Sequence, residues 1–362
     1  MRYFNNIDNS QDIFFKVPSS YGLLSSREEL SYALGACLYM PGTRENLIKD
    51  VLISKSMGAN TITLCLEDSV SSDEVIQAET NIINLFKKVG HLLEEDASFM
   101  DNLPLIFIRV RNVCQLQKLL VESSLTGLCG FIFPKFDAIV GEKYFSILKE
   151  FNKINKRTLY GMPILETPGI IHKETRIDEL IKIKSIIDYY KEYILNIRIG
   201  GTDFSGLYNL RRGRDFTVYD LTVVRDCISD IINVFKRADY VISGVVYEYY
   251  SKVLNLNNNT LIKETLLDKT NGLIGKTVIH PTQANVVNSL MVVSKENYID
   301  SINIVNSSLD GVIKSNYSNK MNEIKPHEKW AKEILSKAKI MGVYEDGKTH
   351  TELLQWIDSL QH

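Results

Sequence analysis

The sequence predicts a (β/α)8 barrel, and two observations lead to that prediction. Eight short apolar runs alternate with amphipathic segments of helical length between about residues 36 and 290. Strands separated in this way indicate a parallel sheet, because each return to a parallel neighbour needs a crossover. Nearly every run also ends in a polar or ionisable residue, and the carboxyl ends of barrel strands are where such folds carry their functional side chains. Eight units fit a closed barrel better than a doubly wound open sheet.

The eight runs can be followed in chain order. They read CLYMPG, ITLCLED, LIFIRV, GFIFPK, MPILET, NIRIGGTD, YVISG and KTVIHP. Their polar ends are Tyr39, Glu67 with Asp68, Arg109, Lys135, Glu166, Asp203, Ser243 and His280. Segments such as TVVRDCISDIINVFKRA stand between them, with apolar residues at helical spacing. We therefore expect these polar side chains to gather at one mouth of the barrel.

The chain is longer than one barrel requires. A barrel needs about 250 residues, whereas the chain has 362. We expect an N-terminal extension over residues 1–35, a catalytic barrel over 36–300 and a helical C-terminal segment over 301–362, with no strand signal in that last part. Apolar residues at helical spacing, including Trp330 and Ile334, indicate that the segment packs against its own barrel or against a neighbouring subunit.

Composition excludes several classes of function. The net charge is −2, so no strong field recruits nucleic acid or a membrane surface. No apolar run approaches the ~18 residues of a membrane-spanning helix, and the first residues lack the basic and apolar regions of a signal peptide. Five scattered cysteines without CxxC pairing suggest reduced thiols, so we expect a cytoplasmic protein.

Two carboxylates predict a metal site. Glu166 and Asp203 end neighbouring strands, and Gly200 and Gly201 leave space before the second acid. Mg²⁺ takes one or two carboxylates together with waters and substrate oxygens, which favours Mg²⁺ here, with Mn²⁺ as the alternative. A structural interpretation, in which each acid caps a helix or pairs with an arginine, would be preferred for one acid alone. No His/Cys cluster has zinc spacing.

The remaining strand-end residues complete a candidate site. Arg109 and Lys135 could hold a carboxylate or an oxyanion, or pair with Glu67 and Asp68 in a network across the mouth, and both roles are compatible. Residues that we assign to substrate binding, besides Arg109, are Tyr39, Gly201, His280 and Gln283. For His280 and Gln283 a structural role is equally plausible, and Tyr39 could be a wall or a proton donor. The run of Arg211, Arg212 and Arg214 could meet a phosphate but is more typical of a solvated loop.

These residues also carry a resemblance to a known family. The stretches LYMPGTRENLIKDVLISKSMGANTITLCLEDSV, FIRV, GFIFPK, PILET, RIGGTDFS and GLIGKTVIHPTQANVVN are similar to motifs of the citrate lyase beta subunit, malyl-CoA lyase and HpcH/HpaI aldolase superfamily. The chain more closely resembles a divergent branch found with bacterial tellurium-resistance-type gene clusters. The resemblance implies a TIM barrel, a homotrimer or homohexamer, Mg²⁺ on Glu166 and Asp203, an oxo-acid-binding Arg109, and an acidic motif at Glu67 and Asp68.

The function implied is carbon–carbon bond cleavage or formation on a 2-oxo acid or an acyl-CoA ester, through a metal-stabilised enolate. Two departures bear on it. The chain reads ETPGI where the family has one more residue between Glu and Gly, and VISGVVYEYY where CoA-ester lyases carry acids after the seventh strand, leaving Glu248 alone. The general base stays open between Glu248, Tyr39 and a metal-bound water. A thioester hydrolase on the same scaffold and a non-catalytic ligand-binding subunit are the alternatives.

Overall fold

The structure is a computed structural model that describes residues 1–5, 12–122, 125–155, 158–251, 256, 259–308 and 310–360. Contacts between residues divide the chain into two compact units. One unit comprises residues 34–287, and the other joins residues 1–33 to residues 288–362. The domain boundaries predicted from the sequence lie at residues 35 and 300.

The unit of residues 34–287 is the predicted barrel. Its sheet has seven parallel strands, which run in spatial order as Arg198–Ile199, Tyr160–Leu165, Leu128–Phe133, Leu105–Arg109, Thr61–Cys65, Ala36–Pro41 and Lys276–Val278. Two single parallel bridges, Ile197 to Ile242 and Gly244 to Lys276, join the ends of this sheet. The segment 242–244 therefore takes the seventh place in the ring, and the sheet closes on itself. The (β/α)8 prediction is confirmed, with a seventh strand reduced to two bridges.

Helices alternate with these strands as the sequence predicted. Those of the barrel are Leu47–Ser56, Val75–Glu95, Val113–Glu122, Ala138–Asn155, Pro168–Ile171, Arg176–Tyr189, Gly201–Leu207, Thr222–Lys236, Thr260–Thr270 and Ala284–Met291, the last of which contains the second unit boundary. Local chemistry sets their ends: the Asn259 side chain accepts hydrogen bonds from the N–H groups of Leu261 and Ile262, which would otherwise lack partners at a helix start.

Strand register decides which side chains face the barrel interior. Paired residues of parallel strands point to the same face, and Cys37 is paired with both Thr61 and Thr277. Arg198 pairs with Ile164 of the preceding strand in the chain, and its Nη2 atom donates a hydrogen bond to Thr277 Oγ1 at 2.6 Å. Because the strands of Arg198 and Thr277 are separated by the segment 242–244, the two side chains meet inside the barrel. These interior side chains lie below the mouth that the carboxyl ends of the strands form.

The second unit mixes helices with short strands. Its elements are the strands Phe14–Lys16, Val312–Lys314, Met321–Glu323 and Val343–Tyr344, and the helices Arg27–Tyr32, Lys295–Val305, Ile324–Met341 and His350–Ser359. The sequence predicted helices alone after residue 301, and this was wrong for three short strands. Two of them form an antiparallel hairpin, and Val343–Tyr344 pairs with Phe14–Lys16, so their backbone pairing depends on partners that no local pattern reveals.

This unit has small cores of its own. Phe14 packs with Val292, Tyr344 and Leu353, and Ile334 packs with a separate group that includes Val293. The apolar spacing that predicted burial of Ile334 is thus explained within the unit. In the described part of the chain, no helix is long and apolar enough to cross a membrane.

Candidate active site

Arg109 stands at the centre of the predicted site, at the end of the third barrel strand. It is almost fully buried, and its Nη2 atom lies 2.7 Å from Glu67 Oε2, 2.9 Å from Asp68 Oδ2 and 3.5 Å from Glu166 Oε1. One guanidinium nitrogen thus serves three carboxylates that come from the ends of two other strands. The structure therefore brings four of the predicted site residues into one charged cluster.

Lys135 links this cluster to the fourth acid. Its Nζ atom lies 2.9 Å from Glu67 Oε1 and 3.6 Å from Asp203 Oδ1. Burial lowers the pKa of Lys135, but its hydrogen bond to Glu67 and the surrounding acids outweigh this, so the pKa is held above its ordinary value. The backbone of Lys135 has φ near 48°, a conformation that non-glycine residues adopt rarely and that clusters at functional sites. This turn directs the Lys135 N–H group to Glu166 Oε1 at 2.8 Å.

Glu166 is a buried carboxylate whose two oxygens differ in hydrogen bonding. Oε1 accepts from Lys135 and Arg109, whereas Oε2 has no hydrogen-bond partner among the described residues. A Cβ atom on Gly200 would lie 2.3 Å from Oε2, so only glycine leaves this oxygen uncovered. Burial raises the pKa of Glu166 to about 7, Arg109 opposes the rise, and the charge of Asp203 adds to it. Lys135 also links the two acids, because its N–H group bonds Glu166 and its Nζ atom lies 3.6 Å from Asp203 Oδ1.

These two acids fit a hard divalent cation. Among the described residues, no group of three or more His, Cys, Asp or Glu is arranged to enclose a metal ion. Mg²⁺ does not require such an enclosure, because it commonly keeps several waters and binds through one or two carboxylates. The open oxygen of Glu166, the partly exposed Asp203 and the absence of side-chain bulk at Gly200 together supply that donor set.

Tyr39 forms a wall of the same site between two arginines. Its ring centroid lies 5.8 Å from the guanidinium carbon of Arg109 and 5.9 Å from that of Arg198, within cation–π range. Loss of hydration raises the pKa of Tyr39 to about 12, so its phenol keeps its proton. Arg198 was not predicted as a site residue, because it stands before the strand end in NIRIGG rather than at it.

A cavity of about 300 Å³ lies beside the helix that carries Asp203. Its lining includes Gly201, Val218, Val245 and Glu248. A Cβ atom on Gly201 would approach Val245 Cγ1 to 2.3 Å, so Gly201 is required for this close packing. Glu248, a candidate base, accepts a hydrogen bond from the Thr202 hydroxyl at 2.8 Å and therefore faces the cavity rather than the Arg109 cluster.

His280 and Gln283 shape the loop after the eighth strand. The Gln283 Oε1 atom accepts from the N–H groups of Ile279 and His280, and its Nε2 atom donates to the carbonyls of Tyr247 and Tyr249. Every polar group of this buried amide is thereby engaged in holding two loops together. The His280 ring stacks on Tyr250 at 4.2 Å between centroids. This bonding favours the structural interpretation of both residues, and substrate contact by them stays a prediction.

The predicted basic run divides into different roles. Arg212 is buried, bonds Glu264 and the Val246 carbonyl, and lines the cavity beside the helix of Asp203. Glu264 also accepts from Lys276, which lies 2.8 Å from Asp268, and all three of these side chains are fully buried. This ion network was not predicted, because no local pattern shows that the strand residue Lys276 faces the helix residues Glu264 and Asp268. Arg211 and Arg214 are exposed, as a solvated loop requires.

A closed barrel with acids and cations gathered at its carboxyl-end mouth defines an α/β-barrel enzyme. The chain belongs to the C–C bond lyase family of the TIM-barrel fold, whose sequence model matches residues 28–343. This confirms the family that the sequence motifs indicated. Among curated proteins, no sequence matches the chain.

Solved structures share the fold. A citrate lyase from Burkholderia xenovorans LB400 superposes with a TM-score of 0.63 at 14% identity, over 91% of this chain and 99% of that one. The CitE protein from Mycobacterium tuberculosis, solved in complex with magnesium, acetoacetate and coenzyme A, gives a TM-score of 0.56 at 15% identity, over 85% of this chain and 99% of that one. At these identities the likeness shows a common fold.

Proposed function

We propose that this protein cleaves or forms a carbon–carbon bond next to the oxo group of a 2-oxo acid, with Mg²⁺ held by Glu166 and Asp203. An acyl-CoA ester is the second substrate class that we consider, and coenzyme A in the CitE complex supports it by analogy. The observation that carries the proposal is the uncovered Oε2 atom of Glu166, which the missing side chain of Gly200 leaves open, with Asp203 linked to Glu166 through Lys135. Mn²⁺ is the alternative cation, since it accepts similar ligands.

The residues around the metal position would have different roles in such a reaction. Mg²⁺ bound there would supply Lewis-acid stabilisation of an enolate. Arg109, in the buried centre of the mouth, would neutralise negative charge that develops on substrate oxygens. Glu67 and Asp68 hold its guanidinium in place, and Lys135 fixes Glu166 through its backbone N–H group.

Proton transfer is assigned from position. Tyr39 lies against Arg109, whose positive charge would stabilise the phenolate that remains after proton donation at the mouth. Glu248 lines the neighbouring cavity, where it accepts a hydrogen bond from Thr202 and lies 3.7 Å from Arg212 Nε. We therefore favour Tyr39 over Glu248 as the residue that moves a proton at the reacting carbon.

The proposal is tested with Glu166→Gln and Asp203→Asn, which keep side-chain size and remove the charge. We expect each variant to lose the Mg²⁺-dependent thermal stabilisation that pyruvate, glyoxylate or oxaloacetate gives the wild type. Glu174→Gln, at an exposed position of the same unit, is the matched control and should behave as the wild type. Unchanged Mg²⁺ affinity in both site variants, measured by calorimetry, would reject the metal assignment.

We also propose that the protein assembles as a homotrimer or homohexamer, as the family resemblance implies. Light scattering on the full chain measures this directly, since one subunit has a mass of 41.3 kDa. A mass equal to one subunit would contradict the assembly without affecting the metal assignment.

A further inference from the structure

The inference concerns Arg198, a buried arginine at the floor of the mouth. Its side chain is 2% exposed, although it carries a permanent positive charge. Within the described residues it forms no ion pair, and its hydrogen-bond partner is the Thr277 hydroxyl. Its Nε atom is buried without a partner. A buried charge without an opposite charge is costly, so such a residue normally has a ligand or a function.

Arg198 and Arg109 differ sharply in how far they are already neutralised. Arg109 Nη2 is shared by three carboxylates, and its two hydrogens cannot satisfy all of them and a substrate as well. The side-chain contacts of Arg198 are with uncharged groups, the ring of Tyr39 and the hydroxyl of Thr277, and its register partner on the next strand is the apolar Ile164. The Nε atom of Arg109 is likewise buried without a partner. Of the two arginines beside Tyr39, however, only Arg198 has no carboxylate within ion-pair distance among the described residues, so its charge is the one that a ligand can offset.

The balance of charges at the mouth also indicates Arg198 as the residue that binds an anion. Its four acids are Glu67, Asp68, Glu166 and Asp203, and its cations besides Arg198 are Arg109 and Lys135. With these two cations and one divalent metal ion, the four acids are balanced and nothing remains to offset a carboxylate. Arg198 supplies one further positive charge, which matches a ligand with one carboxylate.

Its position on the strand places Arg198 under the metal acids. It is paired in register with Ile164, two residues before Glu166, and it stands two residues before Gly200. The strand of Arg198 ends at Ile199, so Gly200 and the space beside Glu166 Oε2 follow directly at its carboxyl end. An anion placed beside Glu166 Oε2 thus lies at the carboxyl end of the strand that carries Arg198.

We propose that Arg198 binds the substrate's carboxylate from the floor of the mouth and restricts the substrate to 2-oxo acids that bring a single carboxylate to the metal. This rests on the proposed function, because the carboxylate is located by the metal acids. Arg109 then acts chiefly on the acids and on developing oxyanion charge, whereas Arg198 is the residue that recognises the ground-state anion.

The test compares pyruvate with methyl pyruvate, which keeps the oxo group and lacks the charge. Affinities are measured by calorimetry at saturating Mg²⁺ in the wild type and in Arg198→Met, which keeps the length of the buried chain. We expect pyruvate to bind the variant at least about tenfold more weakly, as loss of a charge-assisted pair predicts, and methyl pyruvate to bind both proteins equally. Equal loss for both ligands, or no loss for either, would overturn the assignment.

Two further variants separate recognition from folding. Arg176→Met alters another buried arginine, which bonds two backbone carbonyls and Asp230, and it should lower the melting temperature without changing the ratio of the two affinities. If Arg198→Met does not fold, Arg198→Lys provides the measurement: Lys keeps the charge but loses the guanidinium fork, so it should weaken pyruvate alone. An unchanged ratio in Arg198→Lys would then refute the role.

The outcomes also distinguish this inference from the function beneath it. If the wild type binds neither pyruvate nor oxaloacetate in the presence of Mg²⁺, the proposed function fails and the inference with it. If the wild type binds pyruvate and Arg198→Met keeps the same preference for pyruvate over its ester, the function stands and only the role of Arg198 is wrong.

Discussion

Replacing Gly200 with alanine gives a direct test of the metal position. The new Cβ atom would lie 2.3 Å from both Cβ and Oε2 of Glu166, whereas real Cβ contacts essentially never fall below 3.0 Å. One side must therefore move by the difference between these distances, roughly 0.7 Å. Glu166 cannot move freely, because Oε1 is fixed by the Lys135 N–H group at 2.8 Å.

Two consequences follow for Gly200→Ala, and they are measured separately. Overpacking costs about 1–3 kcal/mol and reduced freedom of the unfolded chain returns about 0.4–1 kcal/mol, so we expect stability to fall by about 1–2 kcal/mol. Misplacement of a reacting group by about 1 Å can cost ~100-fold in rate, so we expect a comparable loss of activity and at least tenfold weaker Mg²⁺ binding. Thermal unfolding gives the first quantity and calorimetry with Mg²⁺ gives the second.

Gly206→Ala is the control for this experiment. Gly206 belongs to the helix Gly201–Leu207, and a Cβ atom there meets nothing within 4 Å. Alanine should stabilise that helix by about 0.5–1 kcal/mol and leave Mg²⁺ affinity unchanged. If Gly200→Ala also binds Mg²⁺ as the wild type does, the space at Gly200 is a packing feature and the metal does not lie beside Glu166 Oε2.

Two further substitutions examine charged groups on either side of the barrel wall. Arg109→Lys should lower the rate of reaction with a 2-oxo acid about tenfold or more, because a lysine cannot reproduce the guanidinium's directed hydrogen bonds to the acids and to a developing oxyanion; an unchanged rate in a steady-state assay would make Arg109 merely structural. Lys276→Met should destabilise the protein by about 3–5 kcal/mol, because it leaves the buried carboxylates of Glu264 and Asp268 without their cation. Denaturant unfolding measures this loss, and a change below about 1 kcal/mol would contradict the reasoning.

The barrel could be predicted because the same sequence pattern recurs in each strand–helix unit. Each strand is a short apolar run, and each crossover helix has apolar residues at helical spacing, so an error in one unit would not have changed the predicted fold. The pairing of Phe14–Lys16 with Val343–Tyr344 could not be predicted, since it joins strands of two or three residues from opposite ends of the sequence. Local pattern carries no information about a partner at that separation.

The candidate site was partly predictable for a related reason. Residues at strand ends are visible in sequence, and the structure does bring Glu67, Arg109, Lys135 and Glu166 together. The sequence does not show which of their oxygens and nitrogens remain free to bind a metal or a substrate. That depends on contacts such as the Lys135 N–H group on Glu166, which requires a backbone conformation that lysine rarely adopts.

Arg198 shows where sequence reasoning stops and why. Strands of a parallel barrel are buried on both faces, so they lack the alternation of polar and apolar residues that would identify the inward side. In NIRIGG the arginine could equally have faced the outer helices, where Lys276 finds Glu264 and Asp268. Register with Ile164 and the bond to Thr277 place Arg198 inside instead, where no acid among the described residues meets it. Two buried cations that look alike in the sequence thus have opposite roles. The charge of Lys276 is neutralised by Glu264 and Asp268, whereas we propose that the charge of Arg198 is neutralised by a bound ligand.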